Sequence, residues 1–366
     1  MKVGLKDRWR AWRNGLIGSP AFQRWAARFP LTQPIARRRA AALFDVTAGF
    51  VYSQIAHACV TLGLLERLAE GPMSVEAVGA AVELDRDGAL RLLRAAAALK
   101  LAEPAGDSRW ALGVEGASLL GAPGVAAMIR HHALLYADLA DPLALLRRGG
   151  GGGALAAYWT YAEGSAPDAE QAEAYSRLMS ESQAMVAAQV LDEYPIARHR
   201  RLLDVGGGEG TFLRAVATRA PGLERMLFDL PTVAERARRR FAGEGLALEA
   251  TGGDVFKDAL PTGADVVSLI RVLHDHDDGP ALAILKAAQA ALPPGGTLLI
   301  GEPMAEEPGA ERVGDAYFGM YLLAMGSGRP RPAREIIAMC REAGFASARR
   351  VRTTMPVIAS LIVARN

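Results

Sequence analysis

The chain has 366 residues, of which 51% are hydrophobic and 22% are charged, and its formal net charge is +2. This composition excludes an intrinsically disordered chain, and the length allows two packed domains. Two distant cysteines, Cys59 and Cys340, exclude a disulfide framework. The basic start has no apolar signal-peptide core, no long uncharged apolar run follows, and no metal-binding cluster is visible. We therefore expect a cytoplasmic protein without a membrane span or a metal.

The first 40 residues form a basic arm. They contain ten Lys or Arg residues against Asp7 alone, and three of the five tryptophans, Trp9, Trp12 and Trp25. Helices with basic residues on one face and large apolar residues on the other are typical of the membrane interface. We predict peripheral contact of this arm with an anionic surface of the inner membrane. An N-terminal strap packed on a dimer partner is the alternative.

Three predicted helices follow the arm, at residues 44–69, "SVEAVGAAV" and "DRDGALRLLRAAAALKLAEPA", with Ser74 and Asp85 as caps. The segment "RWALGVEGASLL" then predicts a short strand-like turn. Three helices and a β-wing are typical of a winged helix, which in DNA-binding proteins presents a basic surface. Residues 61–104 carry seven acidic and five basic residues, so we expect no nucleic-acid partner.

A run of five glycines, residues 149–153, predicts a surface loop, and a helical segment at 172–194 ends before Pro195. Short apolar runs then alternate with helices, which is typical of a parallel, doubly wound α/β sheet. The last two runs, "SARRVRTTM" and "ASLIVAR", are close enough in sequence to pair as an antiparallel C-terminal hairpin. We expect three parts: the arm at 1–40, a helical winged-helix domain at 41–195 and a ligand-binding domain at 196–366.

The sequence "LLDVGGGEGTFL", residues 202–213, predicts a strand, a glycine-rich turn and a helix. Such a turn exposes backbone N–H groups at the carboxyl end of a parallel sheet, where ligands bind. Its GxGxG spacing without a following Lys-Ser/Thr argues against a P-loop, and a tight turn without a ligand is the alternative. Asp229 in "LFDLP" can accept the hydroxyls of a ribose, and Asp254 in "GGDVF" can reach an exocyclic amine beside apolar groups. Together these motifs favour an adenosyl site.

On these motifs, together with "RVLHDHDD", "LPPGGTLLIGEP" and "GFASARRV", the chain resembles the plant-type class I O-methyltransferases that depend on S-adenosyl-L-methionine (SAM). The resemblance covers about residues 40–366. Within this family, the chain most resembles bacterial O-methyltransferases of carotenoid synthesis, of the hydroxyneurosporene or demethylspheroidene type. It implies a Rossmann-like sheet with a C-terminal antiparallel hairpin, preceded by a helical winged-helix dimerisation domain, in a homodimer. SAM would be the cofactor and S-adenosyl-L-homocysteine its product.

The resemblance also implies roles for individual residues. His274 would be the general base and Glu302 the acid that orients it. The cofactor would be held by residues of the strand ends, namely Asp204, Gly206, Gly208, Asp229, Leu230, Asp254, Val255 and Arg271. For an apolar, hydroxylated substrate we expect a lining of aromatic and methionine side chains, namely Tyr175, Met179, Met185, Phe318, Tyr321 and Met325. Methionines at helical spacing are also common in a core, and His274 beside Asp275 could simply cap a helix.

Two departures from the family pattern weaken the assignment of a general base. The family places a second acid where this chain has "RPRP", with Pro330 at the position of the acid. A lysine four residues before the histidine in plant members is Ile270 here, and the adjacent Arg271 is a substitute. A tertiary alcohol is also a much weaker acid than a phenol. Proximity and desolvation could therefore carry more of the rate than proton abstraction.

Three functions stay open at this point. The first is methylation of the tertiary hydroxyl of a 1-hydroxylated acyclic carotenoid. The second is SAM-dependent methylation of a small phenol, a polyketide or a carbon centre by the same fold. The third is a non-catalytic winged-helix regulator, which is disfavoured because residues 61–104 carry more acidic than basic residues.

Overall fold

The computed structural model describes residues 4–162 and 169–366, with side chains for residues 4–158, 180 and 182–366. Two compact units divide the chain, Met1–Ser118 and Leu119–Asn366. None of the helices in the described ranges combines the length and the apolar character needed to span a bilayer.

The first unit is mainly helical. Its elements are α1 (Leu5–Gly18), α2 (Pro20–Arg28), α3 (Gln33–Thr61), α4 (Leu64–Ala69), β1 (Met73–Ser74), α5 (Val75–Ala81), α6 (Arg86–Ala98), β2 (Ala102–Ala105), β3 (Arg109–Leu112) and α7 (Val114–Leu120), which runs into the second unit. The predicted caps are confirmed, because Ser74 Oγ accepts the N–H of Ala77 at 3.2 Å and Asp85 Oδ1 accepts that of Gly88 at 2.7 Å.

Two predictions for this unit need correction. The helix predicted for residues 44–69 begins at Gln33 and is interrupted after Thr61, where Gly63 lowers helix propensity before α4. The strand-like turn is confirmed only for Arg109–Leu112, which pairs antiparallel with β2 and β1; residues from Val114 onward form α7. The wing is therefore a small three-stranded sheet of order β1-β3-β2 in the described part of the chain.

The second unit begins with helices and continues as an α/β fold. Its helices are α8 (Pro123–Asp138), α9 (Pro142–Arg147), α10 (Ala154–Ala162), α11 (Ala169–Glu193), α12 (Thr211–Arg219), α13 (Pro231–Gly243), α14 (Asp278–Ala291), α15 (Gly319–Met325) and α16 (Ala333–Glu342). Short 3₁₀ turns lie at Ile196–Arg198 and Leu273–Asp275, and a π-helix at Arg312–Phe318 leads into α15. The glycine run 149–153 links α9 and α10, which confirms the predicted loop.

The described residues of this unit form a seven-stranded sheet of order β6-β5-β4-β7-β8-β10-β9. The strands are β4 (Arg201–Val205), β5 (Glu224–Asp229), β6 (Glu249–Gly252), β7 (Val266–Ile270), β8 (Thr297–Glu302), β9 (Ser347–Val351) and β10 (Ser360–Arg365). The first five are parallel, and β10 pairs antiparallel with both β8 and β9. The Rossmann-like sheet and its C-terminal hairpin are thus confirmed, although β6 was not predicted because "EATG" is neither apolar nor alternating.

Helices cover both faces of the sheet, which is why β4, β7 and β8 are continuous apolar runs rather than alternating ones. On one face α14 and α16 pack on side chains such as Leu203, Val267 and Ile300. On the other face α11, α12 and α13 pack on side chains such as Leu202 and Leu299. Because the strand order reverses between β4 and β7, a crevice opens at their carboxyl ends, where ligands bind in this class of sheet.

Candidate active site

Four parallel strands that lie side by side each end in a polar residue at this crevice. Asp229 ends β5, Asp204 lies near the end of β4, Arg271 follows β7, and Glu302 ends β8. In each case the residues directly before the polar residue are buried, so the sheet places these groups at one edge. The topology therefore brings together residues that lie almost 100 positions apart in sequence.

The glycine turn after β4 is shaped around Asp204. A Cβ on Gly207 would lie 2.5 Å from Oδ2 of Asp204, whereas one on Gly208 would meet open space. Gly206 and Gly208 take φ values of +68° and +59°, in the left-handed region that favours glycine. The turn thus needs glycine both for its backbone and for the approach of the carboxylate, and it leaves room in front of Gly208.

Asp204 is buried, and Ser268 Oγ donates to its Oδ1 at 2.6 Å. Oδ2 has no hydrogen-bond partner among the described residues. Burial, helped by the charge of Asp229 and opposed by the Ser268 hydrogen bond, raises the pKa of Asp204 to about 7. A buried carboxylate oxygen without a partner, beside a bare backbone turn, suits a cationic or hydrogen-bond-donating ligand.

Asp229 fixes the far side of the same turn. Its Oδ2 accepts the N–H of Gly208 at 2.8 Å, and its Oδ1 accepts the N–H of Leu230 at 2.7 Å. Burial raises the pKa of this carboxyl despite these two hydrogen bonds. Each carboxylate oxygen can accept a further bond, so the pair of oxygens can receive two neighbouring hydroxyls.

Asp254 and Val255 lie next to Asp229, because the N–H of Gly253 donates to the backbone oxygen of Asp229 at 2.9 Å. The Asp254 carboxylate accepts the N–H of Phe256 at 2.9 Å and lies 2.7 Å from Nζ of the exposed Lys257. The hydrogen bond from Lys257 is the main cause that lowers the pKa of Asp254. The predicted adenine-contacting group is thus at the same edge, held by a surface ion pair.

His274 lies in the short turn after β7 and is almost fully buried. Its Nε2 lies 3.2 Å from Oδ1 of Asp275, while Nδ1 has no hydrogen-bond partner among the described residues. Burial lowers the pKa of the imidazole, but Asp275 and Glu302 outweigh it, so the pKa lies above its ordinary value. Asp275 therefore favours a proton on Nε2 and leaves the lone pair on Nδ1.

Glu302 is fully buried beside this turn, and its Oε2 accepts the backbone N–H of His274 at 3.1 Å. Its other oxygen has no hydrogen-bond partner among the described residues. Burial raises the pKa of Glu302, although His274 and the more distant Arg331 oppose the shift. The carboxylate thus holds the backbone of His274, whereas the ring contact that we expected of it is made by Asp275.

Arg271 has a φ of +57°, which is unusual for a residue with a side chain, and its N–H donates to Gly301 on the neighbouring strand at 2.8 Å. Its Nη1 donates to Ser182 Oγ on α11 at 2.8 Å. The guanidinium therefore lies between the strand ends and α11, where it can also meet an anionic group.

The predicted substrate-lining residues differ in their surroundings. Phe318 stacks on His274, with 5.6 Å between the ring centroids, and Tyr317 contacts Phe318 edge-on. Tyr321 is buried and its OH lies 2.8 Å from Nε2 of His131, while Met325 is packed in a helical cluster. Met185 is half-buried on α11. Tyr175 and Met179 lie outside the side chains that the structure describes.

Sequence reasoning missed three groups that shape this site: Asp275 as the ring partner, Ser268 as the donor to Asp204, and Arg331. Asp275 could have been found from its position directly after His274. Ser268 and Arg331 reach the site from other elements. Each is a single polar residue outside any motif, so the sequence does not predict its contact.

The set of hydrogen-bond acceptors fits SAM. Asp204 offers an unsatisfied buried carboxylate oxygen, Asp229 offers two acceptors for the hydroxyls of a ribose, and the glycine turn leaves open space. No group of residues that could hold a metal ion is present in the described ranges.

Comparisons with known proteins agree with this geometry. Residues 136–346 match the family model of the O-methyltransferase domain, and residues 44–113 match that of the O-methyltransferase dimerisation domain, which supports a homodimer. Over 353 residues the chain is 43% identical to the demethylspheroidene O-methyltransferase of Cereibacter sphaeroides, which covers 95% of this chain and 93% of that protein. It is 42% identical to the protein of the same name from Rhodobacter capsulatus, over 92% of this chain and 85% of that protein.

Solved structures of methyltransferases also resemble this chain. The crystal structure of human N-acetylserotonin methyltransferase in complex with SAM matches with a TM-score of 0.73 and 26% identity. The match covers 90% of this chain and 97% of that chain.

Proposed function

The chain belongs to the family of SAM-dependent O-methyltransferases, and from that premise we propose that it methylates the tertiary hydroxyl of a 1-hydroxylated acyclic carotenoid. The observation that carries the substrate is the 43% identity to a demethylspheroidene O-methyltransferase along nearly the whole length of both chains. The aromatic side chain of Phe318 against His274 is consistent with an apolar substrate.

We assign the cofactor-binding roles from the strand ends. Asp204 and the turn of Gly206 and Gly208 hold the methionine part and the ribose edge. Asp229, with the backbone of Leu230, receives the ribose hydroxyls. Asp254 and Val255 contact the adenine, and Arg271 receives the carboxylate of the amino acid.

When bound, SAM supplies a methyl group on a positively charged sulfur. The chain must place the substrate hydroxyl in line with that methyl group and remove the hydroxyl proton as the C–O bond forms, while the bond between the methyl carbon and the sulfur breaks and S-adenosyl-L-homocysteine leaves. His274 is the residue that can accept this proton at Nδ1, because Asp275 engages Nε2 and stabilises the imidazolium that results. Glu302 contributes by holding the backbone of His274. Burial of the site adds to the rate because a desolvated hydroxyl is a better nucleophile.

The substrate is tested by comparing kcat/KM for a 1-hydroxylated acyclic carotenoid with a panel of small phenols and polyketides, using labelled SAM. We expect the carotenoid to be preferred by at least about tenfold, since its long apolar chain adds buried area at the binding site. A preference for a phenol or a polyketide would instead indicate a methyltransferase that acts on such small molecules.

We propose three parts: a basic arm at 1–40, a helical dimerisation domain at 41–195 and a SAM-binding domain at 196–366. In this proposal the protein works as a homodimer.

The arm carries a further proposal, contact with an anionic membrane. In α1 the side chains Leu5, Trp9, Trp12 and Leu16 follow the i, i+4, i+7, i+11 spacing of one helix face, and Trp12 is 64% exposed. No residue of α1 is buried. Basic residues occupy other faces, and Arg13 lies over the ring of Trp9. Such a helix suits the interface of a bilayer, in which a carotenoid is dissolved.

The membrane contact is tested with the full-length protein and liposomes that contain anionic lipid. We expect sedimentation that weakens as salt rises, and a loss of sedimentation in Trp9→Ala/Trp12→Ala. Leu143→Ala, which changes an exposed apolar side chain elsewhere, is the matched control. Equal sedimentation of the double variant and the wild type would favour the strap on a dimer partner.

A further inference from the structure

The segment of residues 327–331 lies against the turn that carries His274. It overlaps "RPRP", residues 329–332, in which Pro330 stands where relatives are expected to place an acid. Its main feature is Arg331, whose side chain is 0% exposed and is the largest of the fully buried side chains that the structure describes. A buried guanidinium is costly unless each donor is paired, so its partners indicate what it does.

The donors of Arg331 are directed at the His274 turn. Nη1 donates to the backbone oxygen of Leu273 at 2.8 Å, and Nη2 donates to that of His276 at 2.7 Å. Nε and Nη2 also donate to Oδ1 of Asp278, at 3.0 and 2.8 Å. The guanidinium therefore binds both sides of His274 in the chain and the first residue of α14.

Two further contacts run from the same segment to the same turn. Ser327 Oγ donates to the backbone oxygen of Asp275 at 3.0 Å, and the N–H of Gly328 donates to Oδ1 of Asp277 at 3.0 Å. Gly328 has a φ of +77°, and a Cβ there would collide with the backbone oxygen of His274. Every residue from Leu273 to Asp278 is thus bonded to, or in close approach with, the segment.

We propose that Ser327, Gly328 and Arg331 form a brace, with Arg331 as its main contact, which positions the imidazole of His274 against Asp275 and Phe318. The inference deepens the proposed function and rests on it for the role of His274. Arg331 is a positioning residue, because it contacts the backbone around His274 and not the ring. Its planar fork suits two carbonyl oxygens and a carboxylate at once, which a lysine ammonium cannot match.

The surroundings of His274 make its own titration a sensitive readout. The charged groups that affect it are Asp275 and Glu302, which raise its pKa, and Arg271, which lowers it. If the turn loosens, the ring moves away from Asp275 and the imidazole loses much of that stabilisation of its charged form. Its pKa should then fall.

The test compares Arg331→Met with Arg329→Met. Arg329 is a matched control because it also binds Asp278, at 3.1 and 2.9 Å, but pairs with Glu335 instead of the carbonyl oxygens of the turn. The measurement is the NMR titration of the six histidines, with His274 assigned by its loss in His274→Asn, together with amide exchange of His274. Neither readout needs a substrate, so failure of the proposed substrate leaves this test intact.

We expect Arg331→Met to lower the pKa of His274 and to accelerate its amide exchange at least about tenfold, while Arg329→Met changes neither. Arg331→Lys should restore part of both values. With any substrate that the wild type methylates, kcat should fall more than about tenfold while KM and the Kd for SAM stay within about twofold. An unchanged His274 in Arg331→Met, or an equal effect of Arg329→Met, would overturn the proposal. If Arg331→Met does not fold, Ser327→Ala and Arg331→Lys are judged by the same criteria.

Discussion

The backbone N–H of His274 donates to Oε2 of Glu302 at 3.1 Å, while the His274 ring faces Asp275 instead. The two acids around the histidine therefore have separate tasks. Glu302 fixes where the turn lies, and Asp275 fixes the proton on the ring. This division leads to different expectations for the residues of the site.

Asp229→Ala should weaken SAM binding. Charge-assisted hydrogen bonds to the ribose hydroxyls contribute roughly 1.5 to 3 kcal/mol, which corresponds to an increase in Kd of about 10- to 150-fold. Asp229→Asn keeps one acceptor and should lose less. Calorimetric titration with SAM checks both variants, and an unchanged Kd in Asp229→Ala would show that Asp229 has been assigned to the wrong ligand group.

His274→Ala should lower turnover by about 10²- to 10⁴-fold, with the Kd for SAM nearly unchanged, because a general base acts only on the chemical step. His276→Ala, two residues along the same turn, is the control and should retain most of kcat. The measurement is steady-state turnover at saturating SAM. A loss smaller than tenfold in His274→Ala would mean that proximity and desolvation supply the rate.

Binding of SAM should release protons near neutral pH. The pKa of Asp204 is raised to about 7 without ligand, and the positive charges of SAM favour its ionised form. SAM affinity should therefore increase as pH rises from about 6 to about 8. Calorimetry at a pH of about 6.5 in two buffers of different ionisation enthalpy measures the release. Asp204→Asn should abolish the release, and a buffer-independent enthalpy in the wild type would contradict the assignment.

The acid limb of the pH–kcat profile should lie above the ordinary histidine value, because Asp275 and Glu302 together raise the pKa of His274 against the effect of burial. A base must be neutral to accept a proton, so activity increases as pH rises through this pKa. Asp275→Asn should move the limb to lower pH and reduce kcat. A limb that stays in place in Asp275→Asn would show that the titrating group is not His274.

The order of the elements could be predicted from local patterns. Apolar runs of strand length separated by helical periodicity indicate the parallel sheet, and the glycines after Asp204 indicate the ligand edge. Because carboxyl ends of parallel strands meet at one edge, the grouping of Asp204, Asp229 and Glu302 followed from topology alone. The helices of the winged-helix unit could also be predicted from sequence, since Ser74 and Asp85 are strong capping residues.

The contacts that set the details of the site could not be predicted in this way. Ser268 reaches Asp204 from a neighbouring strand, and Arg331 reaches the His274 turn across more than 50 residues. Such contacts depend on side-chain packing after the fold has formed, and neither residue stands in a periodic pattern. Whether the ring of His274 faces Glu302 or Asp275 is also decided by the local turn geometry.

We propose that this site transfers a methyl group from SAM to the tertiary hydroxyl of a carotenoid. The most direct measurement is a reaction of the wild-type protein with methyl-labelled SAM and a 1-hydroxylated acyclic carotenoid, followed by mass spectrometry and NMR of the product. We predict one labelled methyl group, attached as an ether at the tertiary oxygen, and at least about 100-fold less of this product from His274→Ala over the same time. Unmodified carotenoid in the presence of protein that binds SAM, or a label on carbon, would show that this reaction has been assigned wrongly.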